Sequence, residues 1–214
     1  MKNEENNMGK ELESSVENRV RGWHMTPDET KSFFKGLGKK VITFVGYSSG
    51  YEDEKEMLRT VKTVLSGYSP KLWIVNIGAT TGGIGGAYPT AKSMGFTTTG
   101  IVSTLAIEYI EYISTAVDHI CFIKDDLWGG KIPGSDELSP TSQAMVMCSD
   151  ILIGIGGNEI GRDELLAGKE QGKTVNYYPA EIHHEYLINR AKKLNLPPPK
   201  SFKGAAHEEF ANQT

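Results

Sequence analysis

The segment Ser149-Asp-Ile-Leu-Ile-Gly-Ile-Gly-Gly157, continued by Asn158-Glu-Ile-Gly-Arg-Asp-Glu164, sets the architecture of this chain. Residues 151–155 are an apolar run of strand length, and Gly156 and Gly157 punctuate it. Residues 162–170 then carry a helical pattern. A buried strand that turns through glycine into a helix is half of a βαβ unit, and such units build parallel sheets covered on both faces.

The same unit recurs on either side. Apolar, β-rich runs at 41–45, 72–77, 97–102, 119–123 and 174–178 alternate with helical patterns at 52–65, 87–93, 105–117, 140–147 and 182–193. Six strands alternating with helices predict an α/β fold, a doubly wound parallel sheet of Rossmann-like type with helices on both faces. Ahead of them, Thr26, Pro27 and Glu29 read as a capping box with proline in the first turn. It opens a short helix carrying Phe33 and Phe34 and ending at Gly36. Residues 1–25 are polar, with little apolar periodicity, and read as a loosely held arm or peripheral helix. The expected organisation is an arm with a short helix over 1–38 and a single nucleotide-binding domain over 39–214. Prolines 197–199 stop any helix there and leave the tail against the domain surface.

Composition narrows the function classes. The chain has 214 residues, 38% hydrophobic and 23% charged, which suits one domain, and a net charge of −4 gives no general affinity for a phosphate backbone. Nucleic acid is therefore not the expected partner. The apolar runs fall far short of the ~20 residues a membrane span needs, and residues 1–10 have no apolar core of a secretory signal. Cys121 and Cys148 sit among apolar neighbours and read as reduced, buried thiols, which predicts a cytoplasmic protein.

Loops that follow strands are long and polar or glycine-rich, at 46–50, 78–86, 124–139, 156–161 and 179–181, whereas loops that follow helices are short. In an open parallel sheet the binding crevice lies beyond the carboxyl ends of the strands, so a small ligand along that edge is the main expectation. Gly78-Ala-Thr-Thr-Gly-Gly-Ile-Gly-Gly86 and Gly154-Ile-Gly-Gly-Asn-Glu-Ile-Gly161 each run from a strand towards a helix start, where free N–H groups and the helix dipole favour an anion. The glycines are equally suited to tight turns. Neither loop is a P-loop, and no dinucleotide fingerprint follows the first strand, which ends in Gly46-Tyr-Ser-Ser-Gly50.

The two glycine loops, with Arg162-Asp-Glu164 opening a helix, resemble the SLOG superfamily over roughly residues 40–193. That group includes the "Lonely guy" phosphoribohydrolases and related DNA-processing and nucleotide-sensing domains. The resemblance implies a Rossmann-like fold, a nucleotide or ribose-phosphate ligand and a homodimer. It also marks departures. The hydrolase motif reads Pro-Gly-Gly-x-Gly-Thr-x-x-Glu, whereas Ile155 stands at the proline and the spacing from Gly157 to Glu164 is one residue longer. Either Glu164 follows a one-residue insertion or Asp163 holds the family's glutamate position. Thr141 stands where the hydrolases carry an arginine.

Splitting an N-glycosidic bond builds positive charge on the ribose, which a nearby carboxylate stabilises. Glu164, Asp163 and Glu159 are the candidates, and acids in a first helical turn also meet the dipole favourably. The ligand-binding candidates are Gly46, Ser48 and Ser49; Gly78, Thr80, Thr81, Gly82, Gly83 and Gly85; and Gly156, Gly157, Asn158, Gly161 and Arg162. Tyr47 is a further hydroxyl donor, and Trp128, in the long 124–139 insertion, either stacks on a base or anchors its loop. His183 and His184 point about 100° apart on a helix and do not make a metal site, and His119 reads as a core histidine. No cofactor and no metal is expected. The function expected is nucleotide binding with N-ribosyl hydrolysis or transfer, the alternative being a sensor, carrier or sequestering protein. The apolar pattern at 105–117 covers more than one helix face and adds to the expectation of a homodimer.

Overall fold

The computed structural model describes residues 21–211. In the strand Lys40–Gly46 (β2) successive side chains point to opposite faces. Ile42 and Phe44 enter one apolar core, while Val41 and Val45 enter cores on the other face. The remaining strands are Arg21–Met25 (β1), Trp73–Ile77 (β3), Thr97–Ser103 (β4), His119–Ile123 (β5), Ile151–Ile155 (β6) and Thr174–Tyr178 (β7). They form one all-parallel sheet in the order β1-β5-β4-β3-β2-β6-β7. The expected doubly wound α/β fold is the fold observed.

Helices Glu54–Ser66 (α2) and Ala87–Ser93 (α3) cover one face through Met57, Val61, Leu65, Ala87, Tyr88 and Ala91. Pro27–Gly36 (α1) and Pro140–Cys148 (α4) cover the other through Phe34, Ala144, Met145 and Cys148. Glu159–Glu170 (α5) continues that layer, with Leu165 packed on Val45 and Leu152. His184–Lys193 (α6) and Ala205–Phe210 (α7) complete the described helices. None of these is long and apolar enough to cross a membrane.

The capping box of α1 forms as read: Thr26 Oγ1 accepts from Glu29 N at 3.3 Å, and Glu29 Oε2 accepts from Thr26 N at 2.8 Å. Other expectations are corrected. The sheet has seven strands, because Arg21–Met25, inside the stretch read as a loose arm, pairs along β5 from Arg21↔His119 to Met25↔Ile123. Residues 1–20 of that arm lie outside the described residues. The helix expected over 105–117 is a 3₁₀ stretch, Thr104–Tyr112, broken at Tyr109 (φ −128°, ψ 41°). Ile113 then leaves it to bridge Thr80, so tertiary pairing overrides the apolar spacing. The tail forms α7 beyond its prolines, and Ala206 and Phe210 are buried there.

Candidate functional site

The winding of the sheet reverses at β2: β3, β4 and β5 follow on one side, and β6 and β7 lie on the other. The crevice beyond the carboxyl ends of β2 and β6 is therefore the switch point, where ligands of such sheets seat. The loop after β2 and the second glycine loop emerge there, and a side chain at Gly157 would lie 3.9 Å from the Cα of Gly46. The first glycine loop stands alongside, its Ile84 N–H donating to Tyr47 O at 2.8 Å. Ser48 and Thr81 are exposed, and Ser49, Thr80, Gly46 and Gly78 are half-buried.

The first loop is packed shut by the chain's own backbone. Gly83 has φ +55°, and a Cβ there would collide with the Tyr47 carbonyl; at Gly85 it would collide with Thr80 O. Gly82 lies close to Ser48 O, and its N–H donates to Thr80 Oγ1 at 3.3 Å. Thr81 N–H donates to Tyr112 O at 2.8 Å, and Ser114 N–H to Ala79 O at 2.8 Å. The loop is thus tied both to the segment after β2 and to the 3₁₀ stretch.

The second loop turns through Gly156 and Gly157, at φ +58° and +125°, conformations that favour glycine. It delivers the start of α5 to the crevice, and the N-cap Asn158 makes no side-chain capping bond there. Uncapped first-turn N–H groups carry the positive end of the helix dipole. Three of the chain's own groups crowd this end. The Tyr47 ring fills the space a side chain at Gly156 would take, and Gly204 and Ala206 lie against Gly157. Ala206 N–H donates to Gly157 O at 3.1 Å. Tyr47, 1% exposed, donates to Ala180 O at 3.2 Å and accepts from Gly204 N at 2.8 Å.

The acids split by environment. Glu159 is exposed at the start of α5. Asp163 is buried and fully engaged: Oδ1 accepts from Arg162 Nε at 3.0 Å and from a terminal guanidinium nitrogen at 2.8 Å, and Oδ2 accepts from Lys131 N at 3.2 Å. Arg162 is therefore turned to its neighbour. Glu164 is 4% exposed, and its Oε1 accepts from the Ser142 hydroxyl at 2.6 Å, which in turn accepts from Gly130 N at 2.7 Å. Burial pushes the Glu164 carboxyl up to about 7, the Ser142 hydrogen bond opposes this, and the charge of Asp163 adds to it. Asp125, at the head of the 124–139 insertion, accepts from Thr141 N at 2.9 Å and Leu127 N at 2.9 Å. Burial pushes its carboxyl up, but these hydrogen bonds outweigh it and hold the group below its ordinary value.

Trp128 is about half exposed, its ring centroid 5.9 Å from that of Tyr109. His183 caps α6 by accepting from Tyr186 N at 3.3 Å, and His184 bonds Glu181 at 2.8 Å and stacks on Phe202 at 3.8 Å. No cluster of three or more potential metal ligands occurs among the described residues.

No protein-family model and no curated protein matches the chain. Solved structures do resemble it. A molybdenum cofactor binding protein from the phototrophic bacterium Rippkaea orientalis aligns at 18% identity and a TM-score of 0.48, covering 65% of this chain and 76% of that one. The Moco carrier protein of Chlamydomonas reinhardtii aligns at 19% identity and a TM-score of 0.46, with the same coverage. DNA processing protein A of Streptococcus pneumoniae aligns at 14% identity and 0.46, covering 81% of this chain and 62% of that one.

Sequence reasoning passed over three groups at this edge. Ser142 links Glu164 to the 129–130 turn, Asp125 receives the start of α4, and the 204–206 segment covers the second loop. The signal for the first two was local: Ser139-Pro140-Thr-Ser142 is itself a helix start, facing an acid across the insertion. Nothing local marked the third.

Proposed function

We propose that the protein binds a nucleotide or nucleotide-derived ligand at the carboxyl edge of its sheet and holds it without turnover, as a carrier, sensor or sequestering protein. The observation that carries this reading is the start of α5. Gly156 and Gly157 bring a helix end without a side-chain cap into the switch-point crevice, where N–H groups and dipole suit a phosphate. The acids beside it support binding over catalysis. Asp163 is spent on Arg162 and Lys131, and Glu164 points into the body towards Ser142. A catalytic carboxylate has to reach the reacting sugar.

One observation favours N-ribosyl hydrolysis as the second reading. A buried carboxyl with its pKa at about 7 has the value a general acid–base needs near neutrality. The two separate experimentally. Protein as purified is denatured, and any nucleotide released is identified by mass spectrometry; the native protein is then incubated with adenine, guanine, cytosine and NAD-type nucleotides and assayed for free base. The binding reading expects a held nucleotide and no free base. Base release that falls ~10²-fold in Glu164→Gln would establish hydrolysis instead.

The same proposal includes a homodimer, supported by the exposed rings of Tyr109, Tyr112 and Trp128, and light scattering near 23.5 kDa would remove it. It also includes a reducing, cytoplasmic setting. Cys121 and Cys148 are free, and burial pushes both thiols up to about 12.

A further inference from the structure

The 124–139 insertion folds back on itself. Lys131 and Leu138 form an antiparallel bridge, Ile132 N–H donates to Glu137 O at 2.9 Å, and Ser139 N–H donates to Gly130 O at 2.8 Å. Its two ends are fixed: Asp125 accepts from Leu127 N and from Thr141 N at the start of α4, and Leu138 packs on the apolar core beside α5. Residues 131–137 between them are all exposed. On one side Trp128 rests against Tyr109 of the 3₁₀ stretch, and on the other Ile160, in the first turn of α5, lies against the Gly129–Gly130 turn.

Two carboxyl groups hold that turn in place. Gly130 N–H donates to the Ser142 hydroxyl at 2.7 Å, which donates to Glu164 Oε1 at 2.6 Å, and Lys131 N–H donates to Asp163 Oδ2 at 3.2 Å. The approach is close. A Cβ at Gly129 would stand 2.8 Å from Ser142 Oγ and 3.8 Å from Glu164 Oε1, and one at Gly130 would stand 3.5 Å from Asp163 Oδ2. The backbone of the turn is thus a cover over Glu164. Asp163 is the charge that faces Glu164 from its own helix, with Arg162 bonded to it at 3.0 Å. On the insertion, the Lys131 ammonium is paired outward with Asp136 at 3.0 Å, and on the α4 side Asp125 is held by Thr141 N. With its proton, the Glu164 carboxyl rests under this cover. Without it, burial and the charge of Asp163 outweigh the Ser142 bond, and the carboxylate needs water. Water reaches it at lowest cost by lifting a turn held through two amides, rather than by moving α4 or α5.

We propose that residues 128–137 form a proton-gated lid, closed over Glu164 while that carboxyl carries its proton and released when the proton leaves. The gate is a proton on the chain's own acid, so it works whatever ligand the crevice takes. The closed lid holds the proton more tightly than the open one, in which the carboxyl returns towards its ordinary 4.5. Opening is therefore hardest below pH 4.5, eases by up to about tenfold per pH unit above it, and levels off beyond about pH 7.

The test reads amide hydrogen exchange in the full chain by NMR, with each rate divided by the intrinsic rate at the same pH. Between pH 5 and pH 7 the protection of the Gly130 and Lys131 amides is expected to fall by about tenfold, and by roughly 40-fold at most, while amides of β2 and β6 remain better protected. Glu164→Gln keeps an acceptor for Ser142 but cannot ionise, and its Gly130 and Lys131 amides are expected to be equally protected at both pH values. Wild-type protection that is absent at pH 5, that does not change with pH, or that equals that of the sheet amides throughout would overturn the lid. So would a pH-dependent loss that persists in Glu164→Gln. The wild type also answers without any substitution: the carboxyl carbon of Glu164 is expected to titrate with a midpoint near 7, where the loss of protection levels off, and a midpoint near 4.5 overturns the gate.

Discussion

The two glycine loops look alike in sequence and serve different ends in the structure. In the loop after β3, glycine at 83 and 85 lets two backbone segments touch, with the Ile84 N–H bonded to Tyr47 O after β2 and the Thr81 N–H to Tyr112 O of the 3₁₀ stretch. In the loop after β6, Gly156 and Gly157 turn the chain so that a helix start faces the crevice, and what lies against it is the C-terminal segment. A glycine-rich strand-to-helix turn therefore says that something comes close. Whether that something is the protein itself or a ligand depends on residues far away in the chain.

The largest expected effect would break this contrast at the first loop. Gly83→Val combines a left-handed backbone with a collision against Tyr47 O and is expected to destabilise the protein by about 4 kcal/mol or more, or to prevent folding. Thermal unfolding checks it; a stable variant that has lost only nucleotide binding would make the first loop a ligand loop as well. The next sharpens the second loop, through the helix it opens. The Glu164 carboxyl has a folded pKa of about 7 against an ordinary 4.5, so the folded state holds the proton more tightly. The stability this confers is complete below pH 4.5 and is lost as the pH rises through about 7. Glu164→Gln removes the dependence, and its stability relative to wild type is expected to rise by about 3 kcal/mol from the acid end of that window to pH 8. Urea unfolding at pH 5 and pH 8 measures most of this change; a difference that does not vary with pH would mean Glu164 is not buried as described. The smallest effect lies away from both loops. Thr26→Ala removes one capping bond of α1 and is expected to cost about 1 kcal/mol with ligand affinity unchanged. A change in affinity would show that α1 couples to the crevice.

Much of the fold was legible because buried parallel strands announce themselves as apolar runs, and the runs from 41–45 to 174–178 all became strands. β1 was not, because Arg21-Gly-Trp-His-Met25 has neither a continuous run nor alternation, and only the edge of β5 makes it a strand. Nor was the polar seam inside the sheet visible. Thr43, Asn76 and Thr99 are each fully buried on adjacent strands, with Asn76 donating to Thr43 Oγ1 at 3.3 Å and accepting from Thr99 at 3.1 Å. At the candidate site, the glycine loops follow β3 and β6, and Asp163 and Glu164 lie on the helix that the second loop opens. Their partners were hidden: the Ser142 hydroxyl on Glu164, the guanidinium on Asp163 and Gly204 on the Tyr47 hydroxyl are contacts of tertiary packing that leave no periodic trace.

The pairing of β1 with β5 also imposes an order on synthesis. β1 is the first described strand to leave the ribosome, yet its partner lies about a hundred residues later, so at roughly 5–20 residues per second it waits ~5–20 s for an edge to join. Until then Trp23 has its nearby partner Phe33, at 4.7 Å between ring centroids in the finished protein, but not His119. β1 is accordingly fastened only once β5 has emerged, still ahead of β6 and β7, and the edge of β5 stays open to other strands until β1 joins it.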